Sequence, residues 1–158
     1  MNNLIIRRAT KEDMGSLIKL LMVVQRIHSE VRPDLFIGGT RKYTDEELEE
    51  IIKDDTKPIF VAESEGIIKG YAFCVISTPN SHCLQPIKSL YIDDLCVDKN
   101  YRGHHIGEEL YHFVIDYAKK IDCYNVTLNV WADNKNAVAF YEKIGLKIQK
   151  IGMEKILK

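Results

Sequence analysis

Several absences narrow this sequence before any residue is given a role. No apolar run approaches the roughly 18–20 residues that cross a bilayer. The opening Met1-Asn2-Asn3-Leu4-Ile5-Ile6-Arg7-Arg8 has neither the long apolar stretch nor the small-residue cleavage site of a secretory leader. Charge of one sign is missing too: 22 Lys and Arg stand against 23 Asp and Glu, a formal charge of −1. That balance leaves no broad basic field for a nucleic acid and no acidic tail. The four cysteines, Cys74, Cys83, Cys96 and Cys123, form no CxxC pair and have no histidines at zinc-ligand spacing. The expectation is a reduced, cytoplasmic protein with no metal, no nucleic acid and no membrane among its partners. Repeats, low-complexity tracts and linker-like stretches are also absent, so residues 1–158 read as a single domain.

What is present is a regular alternation of strand and helix signals. Residues 4–8 read as a short strand. Thr10 and Lys11-Glu12-Asp13 then mark a helix start with acids in its first turn. Met14, Leu17, Ile18, Leu21 and Val24 recur at spacings of three and four, predicting an amphipathic helix to about His28. Arg32-Pro33-Asp34 and Gly38-Gly39 mark a loop, and Thr44-Asp45-Glu46-Glu47 is a capping box opening a second helix to about Asp54. Ile59 to Ser64, a Glu65-Gly66 turn and Ile67 to Ser77 form a predicted hairpin.

Lys88 to Val97 reads as a central strand carrying Asp93 and Asp94. A helix with the face Ile106, Leu110, Phe113, Val114, Tyr117 and Ile121 follows, then a strand from Val126 to Trp131. Asn134 to Ile144 reads as a helix stopped by Gly145, and residues 146–157 as one or two final strands. The order β-α-α-β-β-β-α-β-α-β places the chain in the α/β (α+β) class. Three consecutive strands before the third helix argue for a mixed sheet and against an all-parallel one.

The most informative segment is Leu95-Cys96-Val97-Asp98-Lys99-Asn100-Tyr101-Arg102-Gly103-His104-His105-Ile106-Gly107. A strand ends, a turn with two glycines follows, and a helix begins at once. Amides at such a helix start can converge on a phosphate, helped by the positive end of the helix dipole. Glycine permits close backbone approach, and Arg102 adds a charge suited to phosphate. Neither a P-loop nor a three-glycine dinucleotide fingerprint is present. By spacing alone the turn is also readable as a plain helix start.

Arg102-Gly103-His104-His105-Ile106-Gly107 resembles the acyl-CoA-binding motif of the GNAT acetyltransferase superfamily. Leu128-Asn129-Val130, Asn134, Ala137 and Phe140-Tyr141-Glu142-Lys143-Ile144-Gly145-Leu146 resemble the family's downstream element, and the order of elements matches from first strand to last. The resemblance implies a mixed, mostly antiparallel central sheet flanked by about four helices. It also implies acetyl-CoA as co-substrate without a metal, a small-molecule or peptide amine as partner, and the homodimer that many relatives form. One departure stands out: His105 occupies the family's usual middle glycine. If that position has positive φ, histidine is strained there. Its ring either crowds the pyrophosphate, swings outward while its amide still donates, or adds a phosphate contact.

Acetyl transfer to an amine makes three demands: a base for an ammonium of ordinary pKa roughly 10.4, donors for a developing oxyanion, and an acid for the leaving thiolate. The resemblance implies Tyr141 as that acid, where spacing alone permits a packed aromatic; Phe140 reads as core. It implies a backbone N–H within Leu95, Cys96 and Val97 for the oxyanion, with the same main chain pairing with the pantetheine arm. Asn134 is implied as a polar contact to pantetheine or acceptor, beside a simple N-cap role. Tyr91-Ile92-Asp93-Asp94-Leu95 resembles the acidic strand of polyamine-type members, which points to Asp93 as base. Asp94 stays open, because adjacent strand residues face opposite sides.

His28, Glu30, Arg32, Pro33, Asp34 and Phe36 fall where the family builds its acceptor wall. The acids Glu46, Glu47, Glu49 and Glu50 either favour a cationic acceptor or form a solvated face. His104 and His112 read as surface histidines, and Trp131 as a strand-end packing residue. No cysteine sits in a nucleophile–base arrangement, though Cys96 lies in the strand of interest, so direct transfer in a ternary complex is expected. The resulting expectation is an N-acetyltransferase acting on a primary amine, with a protein N-terminal or lysine acetyltransferase and a non-catalytic CoA-binding module as alternatives.

Overall fold

The computed structural model describes residues 3–158 and divides the chain into two compact units, Met1–Leu128 and Asn129–Lys158. The first unit holds strands β1 (Ile5–Arg8), β2 (Ile59–Ser64), β3 (Ile67–Ser77), β4 (Ser89–Val97) and β5 (Asn125–Leu128) with helices α1 (Met14–Val31), α2 (Asp45–Lys53) and α3 (Ile106–Lys120). The second holds α4 (Lys135–Lys143). The strands form one sheet in the order β1-β2-β3-β4-β5, antiparallel throughout except for the parallel pair β4–β5. The mixed sheet expected from three consecutive strands is what forms, and it is mostly antiparallel as the family resemblance implies.

Both faces of the central strands are covered, which is why β2 and β3 read as nearly unbroken apolar runs. On one face Ile59, Val61, Tyr71 and Phe73 are buried with Leu17, Leu20 and Leu21 of α1 and Leu48 of α2. On the other, the Phe60 ring meets Phe113 and Tyr117 of α3 edge-on, each with centroids 5.0 Å away. Gly70 is required by this packing. A Cβ there would lie 2.7 Å from the Cys96 carbonyl oxygen, so only glycine lets β3 and β4 approach as they do.

Capping residues fix where the helices begin. Thr44 Oγ1 accepts from the Glu47 amide at 3.1 Å while the Glu47 carboxylate accepts from the Thr44 amide, the reciprocal pair the sequence proposes. Before α1, Asp13 accepts from the Thr10 amide at 2.8 Å and from Arg7, whose guanidinium it holds in two bonds. The Arg7 hydrogen bond pulls the Asp13 carboxyl below its usual range against the opposing effect of burial.

Two registers depart from regular pairing. Ala62 faces Gly70 while Glu63 faces Ile68, leaving Lys69 as an extra residue on β3. Phe73 faces Asp94 while Cys74 faces Ile92, leaving Asp93 as the extra residue on β4.

Several sequence expectations are corrected. α1 runs on to Val31 instead of stopping near His28, and β5 ends at Leu128, before Val130 and Trp131, both exposed. Residues 146–157 form no strand. Their apolar residues alternate in part, but a strand needs an edge to pair with, and among the described residues none is paired there; Ile148, Ile151, Met153 and Leu157 are exposed. In the second unit no residue of α4 is buried, so Phe140 is half-buried and not core. Asn134 caps that helix, its Oδ1 accepting from the Ala137 amide at 3.2 Å, and Gly145 ends it at φ 113°.

Candidate active site

The bulge on β4 decides how the two adjacent aspartates present themselves. In a regular strand they would face opposite sides, but the extra residue at Asp93 breaks the alternation. Asp94 stays opposite Phe73 on the α1/α2 face, where its Oδ2 accepts from the Tyr71 hydroxyl at 2.6 Å. Asp93 accepts from Lys42 Nζ at 2.9 Å through its own Oδ2 and keeps about 30% of its side chain exposed.

The electrostatics follow this difference in burial. Burial pushes the Asp94 carboxyl above the ordinary carboxylate range, and the Tyr71 hydrogen bond and Lys42 only partly oppose it. Burial likewise raises Tyr71, with neighbouring Asp94 adding to the effect, so its hydroxyl keeps its proton and donates. For Lys42, burial lowers the ammonium, but the Asp93 hydrogen bond, Tyr43 and both aspartates outweigh it, so the net shift is upward.

Around Asp94 lies a cleft of ≈ 270 Å³ lined by Leu21, Val24, Gln25, His28, Phe36, Lys42 and Asp94. Two residues singled out by the sequence meet here, His28 in the last turn of α1 and Phe36 in the loop after it: their rings stack with centroids 4.8 Å apart. Their neighbours do not. Arg32 binds Asp34 at 2.8 Å, and Glu30 pairs with Arg26. No acid of α2 lines the cleft: Glu47 serves its cap, and Glu49 pairs with Lys11 and Lys53. A second hollow of ≈ 280 Å³ lies against Glu50, Ile51, Lys53, Asp54 and Lys57 and includes, of the sequence candidates, only the α2 acid Glu50.

Beyond Ile92 the sheet opens. β4 pairs with β5 only from Ser89 to Ile92, whereas its pairing with β3 continues to Val97. Over Asp93, Asp94, Leu95, Cys96 and Val97, β4 therefore has a strand partner on one edge alone among the described residues. The Cys96 thiol is pushed up to about 12, chiefly by burial and then by Asp94, so it is no nucleophile at neutral pH.

At the end of β4 the chain enters the turn. Arg102 Nε donates to the Val97 carbonyl at 3.3 Å. Gly103 has φ 82° with open space where a Cβ would stand, and His105, the N-cap of α3, has φ 62° and ψ 18°. The left-handed conformation considered for His105 is the one it adopts. Its ring is exposed and turned toward Glu108, with Nδ1 3.4 Å from Oε2. His104 is exposed, Ile106 is buried and begins α3, and Gly107 lies in its first turn. The leading amides of that turn have no intrahelical acceptor. The open, left-handed Gly103, the left-handed His105, a helix start and an exposed Arg102 suit the pyrophosphate of an acyl-CoA.

Sequence reasoning missed Lys42, Tyr71, Gln25, Leu21 and Val24. Lys42 lies 51 residues from Asp93 and precedes the α2 cap in a stretch with no signal of its own. Tyr71 sits in a buried strand, where an aromatic reads as core. Tyr141 and Asn134 belong to the second unit, where the Tyr141 ring meets Phe140 with centroids 5.1 Å apart.

A strand that sheds one neighbour, a turn that aims amides from a helix start and a carboxylate in an adjoining cleft define an acyltransferase-like arrangement. Residues 24–146 match the acetyltransferase (GNAT) family, and the chain belongs to it. Over 68 residues, 43% of this chain, it is 37% identical to glucosamine 6-phosphate N-acetyltransferase of Arabidopsis thaliana. The matched stretches take in 44% of that relative and 62% of a second, so the chain spans about half the length of the curated relatives it matches. Among solved structures, a mutant of the BH1408 protein from Bacillus halodurans has a TM-score of 0.92 at 29% identity, covering 98% of this chain and 99% of that one. The crystal structure of glucosamine-6-phosphate N-acetyltransferase from Arabidopsis thaliana has a TM-score of 0.70 at 29% identity, covering 99% and 100%.

Proposed function

We propose that residues 1–158 act as one acetyl-CoA-dependent N-acetyltransferase domain that moves an acetyl group onto the primary amine of a small molecule by direct attack in a ternary complex. The observation that carries this reading is the continuous run from Asp94 in the cleft, along the singly paired edge of β4, to the left-handed turn opening α3. When bound, acetyl-CoA supplies the thioester acyl group. Arg102 and the amides of Gly103, His104, His105, Ile106 and Gly107 hold its pyrophosphate. The main chain of Leu95, Cys96 and Val97 pairs with the pantetheine arm and provides the N–H that meets the developing oxyanion.

Asp94 takes the proton of the acceptor ammonium. This moves the base one residue along from Asp93, whose carboxylate is engaged by Lys42. A buried carboxyl with a raised pKa is a better base than an ordinary aspartate. Tyr141, carried over by its place in the family motif, protonates the leaving thiolate, and Asn134 has an amide –NH2 left for the pantetheine after capping α4. The raised Cys96 and Cys74 thiols, each at about 12, support direct transfer over a cysteine relay. A cleft of ≈ 270 Å³ suits a small acceptor better than a peptide chain. Glucosamine 6-phosphate, the acceptor named for a relative, is the first amine to try.

The test is release of CoA thiol over a panel of amines and peptides, with Tyr141→Phe beside the native protein. We expect release with small amines and a loss of about 10²-fold or more in kcat for Tyr141→Phe, the lower end of a proton-transfer contribution. Full activity in Tyr141→Phe removes that residue as the acid. Release with peptides alone turns the reading to a protein N-terminal or lysine acetyltransferase. Tight acetyl-CoA binding without release from any acceptor turns it to a CoA-binding module.

A further inference from the structure

We propose that Lys42 is an anion-binding group in the acceptor cleft, so that the acceptor is a primary amine carrying a nearby phosphate or carboxylate and not a polycation. This deepens the acetyltransferase reading and rests on it for the fate of the amine. The argument begins with the charges that meet at the β4 bulge: one ammonium, Lys42, and two carboxylates, Asp93 and Asp94. Lys42 Nζ donates to Asp93 and lies 5.4 Å from the centre of the Tyr43 ring, and the residue lines the cleft with its side chain 38% exposed. The group thus sets two carboxyl side chains against one ammonium, one short of balance. A single substrate ammonium at Asp94 completes it.

A second substrate ammonium would find no carboxylate left in the cleft and would face Lys42, a like charge. An anionic oxygen placed a few bonds from the reacting amine meets the Lys42 ammonium instead, an opposite charge and a hydrogen-bond donor. The rest of the lining holds no second carboxylate. Gln25 is held by its Nε2 to the Ile37 carbonyl, and the stacked His28 and Phe36 offer a flat face to a compact acceptor body. The α2 acids, which would recruit a polycation, are outside this cleft. Lys42 thus sets what accompanies the amine, while Asp94 acts on the amine itself.

The experiment measures equilibrium binding to the full chain by calorimetry, in parallel with CoA-thiol release. The probes are glucosamine 6-phosphate, β-alanine, unphosphorylated glucosamine and putrescine, so the phosphate and carboxylate arms are separate. We expect at least one anionic amine to bind tenfold or more tightly than both glucosamine and putrescine. Lys42→Met should reduce that ratio at least tenfold and Lys42→Arg should retain it. Lys42→Gln is measured beside Lys42→Met so that the result does not depend on one variant folding. Glucosamine or putrescine binding as tightly as both anionic amines overturns the proposal, as does a preference that survives in Lys42→Met and Lys42→Gln. Preferential binding without thiol release overturns the acetyltransferase reading and leaves the anion site standing; release without preference does the reverse.

Discussion

At the scale of single residues, the site has two side chains that the fold tolerates at a cost. His105 holds φ 62°, a conformation that costs an L residue about 1–2 kcal/mol and glycine almost nothing. His105→Gly should therefore stabilise the chain by about 0.5–1 kcal/mol after the ~0.4–1 kcal/mol of added unfolded-chain freedom is subtracted. Urea unfolding checks this. Acetyl-CoA binding should persist in both forms, because the His105 ring already points toward Glu108. Binding found only in the glycine variant would show that the ring blocks the pyrophosphate.

Asp94 is the second. Its folded carboxyl is raised above the unfolded value of roughly 3.9, so the native state binds more protons than the unfolded one above that pH. The stability attached to Asp94 is fully present below about pH 4, falls as pH rises toward the raised folded pKa, and stays lost above it. Asp94→Asn keeps an oxygen for the Tyr71 hydroxyl and carries no such penalty. It should melt higher than the native protein at pH 7 and match it near pH 3–4, while kcat falls by about 10²–10⁴-fold. An equal or lower melting temperature at pH 7, or an undiminished kcat, would remove Asp94 from the role of buried base.

At the scale of elements, glycines separate packing from propensity. Gly70→Ala drives a Cβ toward the Cys96 carbonyl, already 2.7 Å from where it would stand, and should cost about 1–3 kcal/mol as β3 and β4 are forced apart. Gly15→Ala near the start of α1 meets nothing within 4 Å and should gain up to ~1 kcal/mol. Denaturant titrations of the two variants should move in opposite directions. Equal shifts would mean that the β3–β4 approach is not tight at Gly70. Elements of this kind were largely legible in the sequence. The Thr44 capping box and the Glu65-Gly66 hairpin are local patterns, and each forms where its residues place it. The α3 period holds as well, but its buried face takes in Tyr111 and Ala118, while Phe113 and Tyr117 are half-buried and Ile121 lies past the helix end. The β4 bulge was not legible, because an extra residue exists only relative to the register of a partner strand. For the same reason alternation at residues 146–157 predicted strands that do not form. The Lys42–Asp93 pair joins segments far apart in sequence and left no periodic trace.

At the scale of the whole molecule, a net charge of −1 is consistent with two local fields of opposite sign within the first unit. Arg102 and the α3 start form the positive one at the end of β4, and Asp93 and Asp94 form the negative one, with Lys42 set against it. Among the described residues no helix is long and apolar enough to cross a membrane, and the family match runs from residue 24 to 146. A ligand that binds only the folded chain stabilises it by RT ln(1 + [L]/Kd), about 2.7 kcal/mol at one hundred times Kd. Acetyl-CoA should therefore raise the melting temperature progressively with concentration, and CoA should do so to a similar degree if the pyrophosphate dominates. Duplex DNA, a polyanion without that compact head, should give no comparable shift, because a balanced charge gives it no broad basic field to meet. Arg102→Ala removes one charge-assisted contact worth roughly 1.5–3 kcal/mol, which moves the acetyl-CoA response to concentrations about 10–100-fold higher. The Asp94→Asn response should stay at native concentrations, because that carboxylate lines the cleft at the β4 bulge and is not part of the turn at Gly103. An acetyl-CoA shift equally displaced in both variants would place the phosphate elsewhere than the turn at Gly103, and no shift at all would dissociate the fold from acyl-CoA binding.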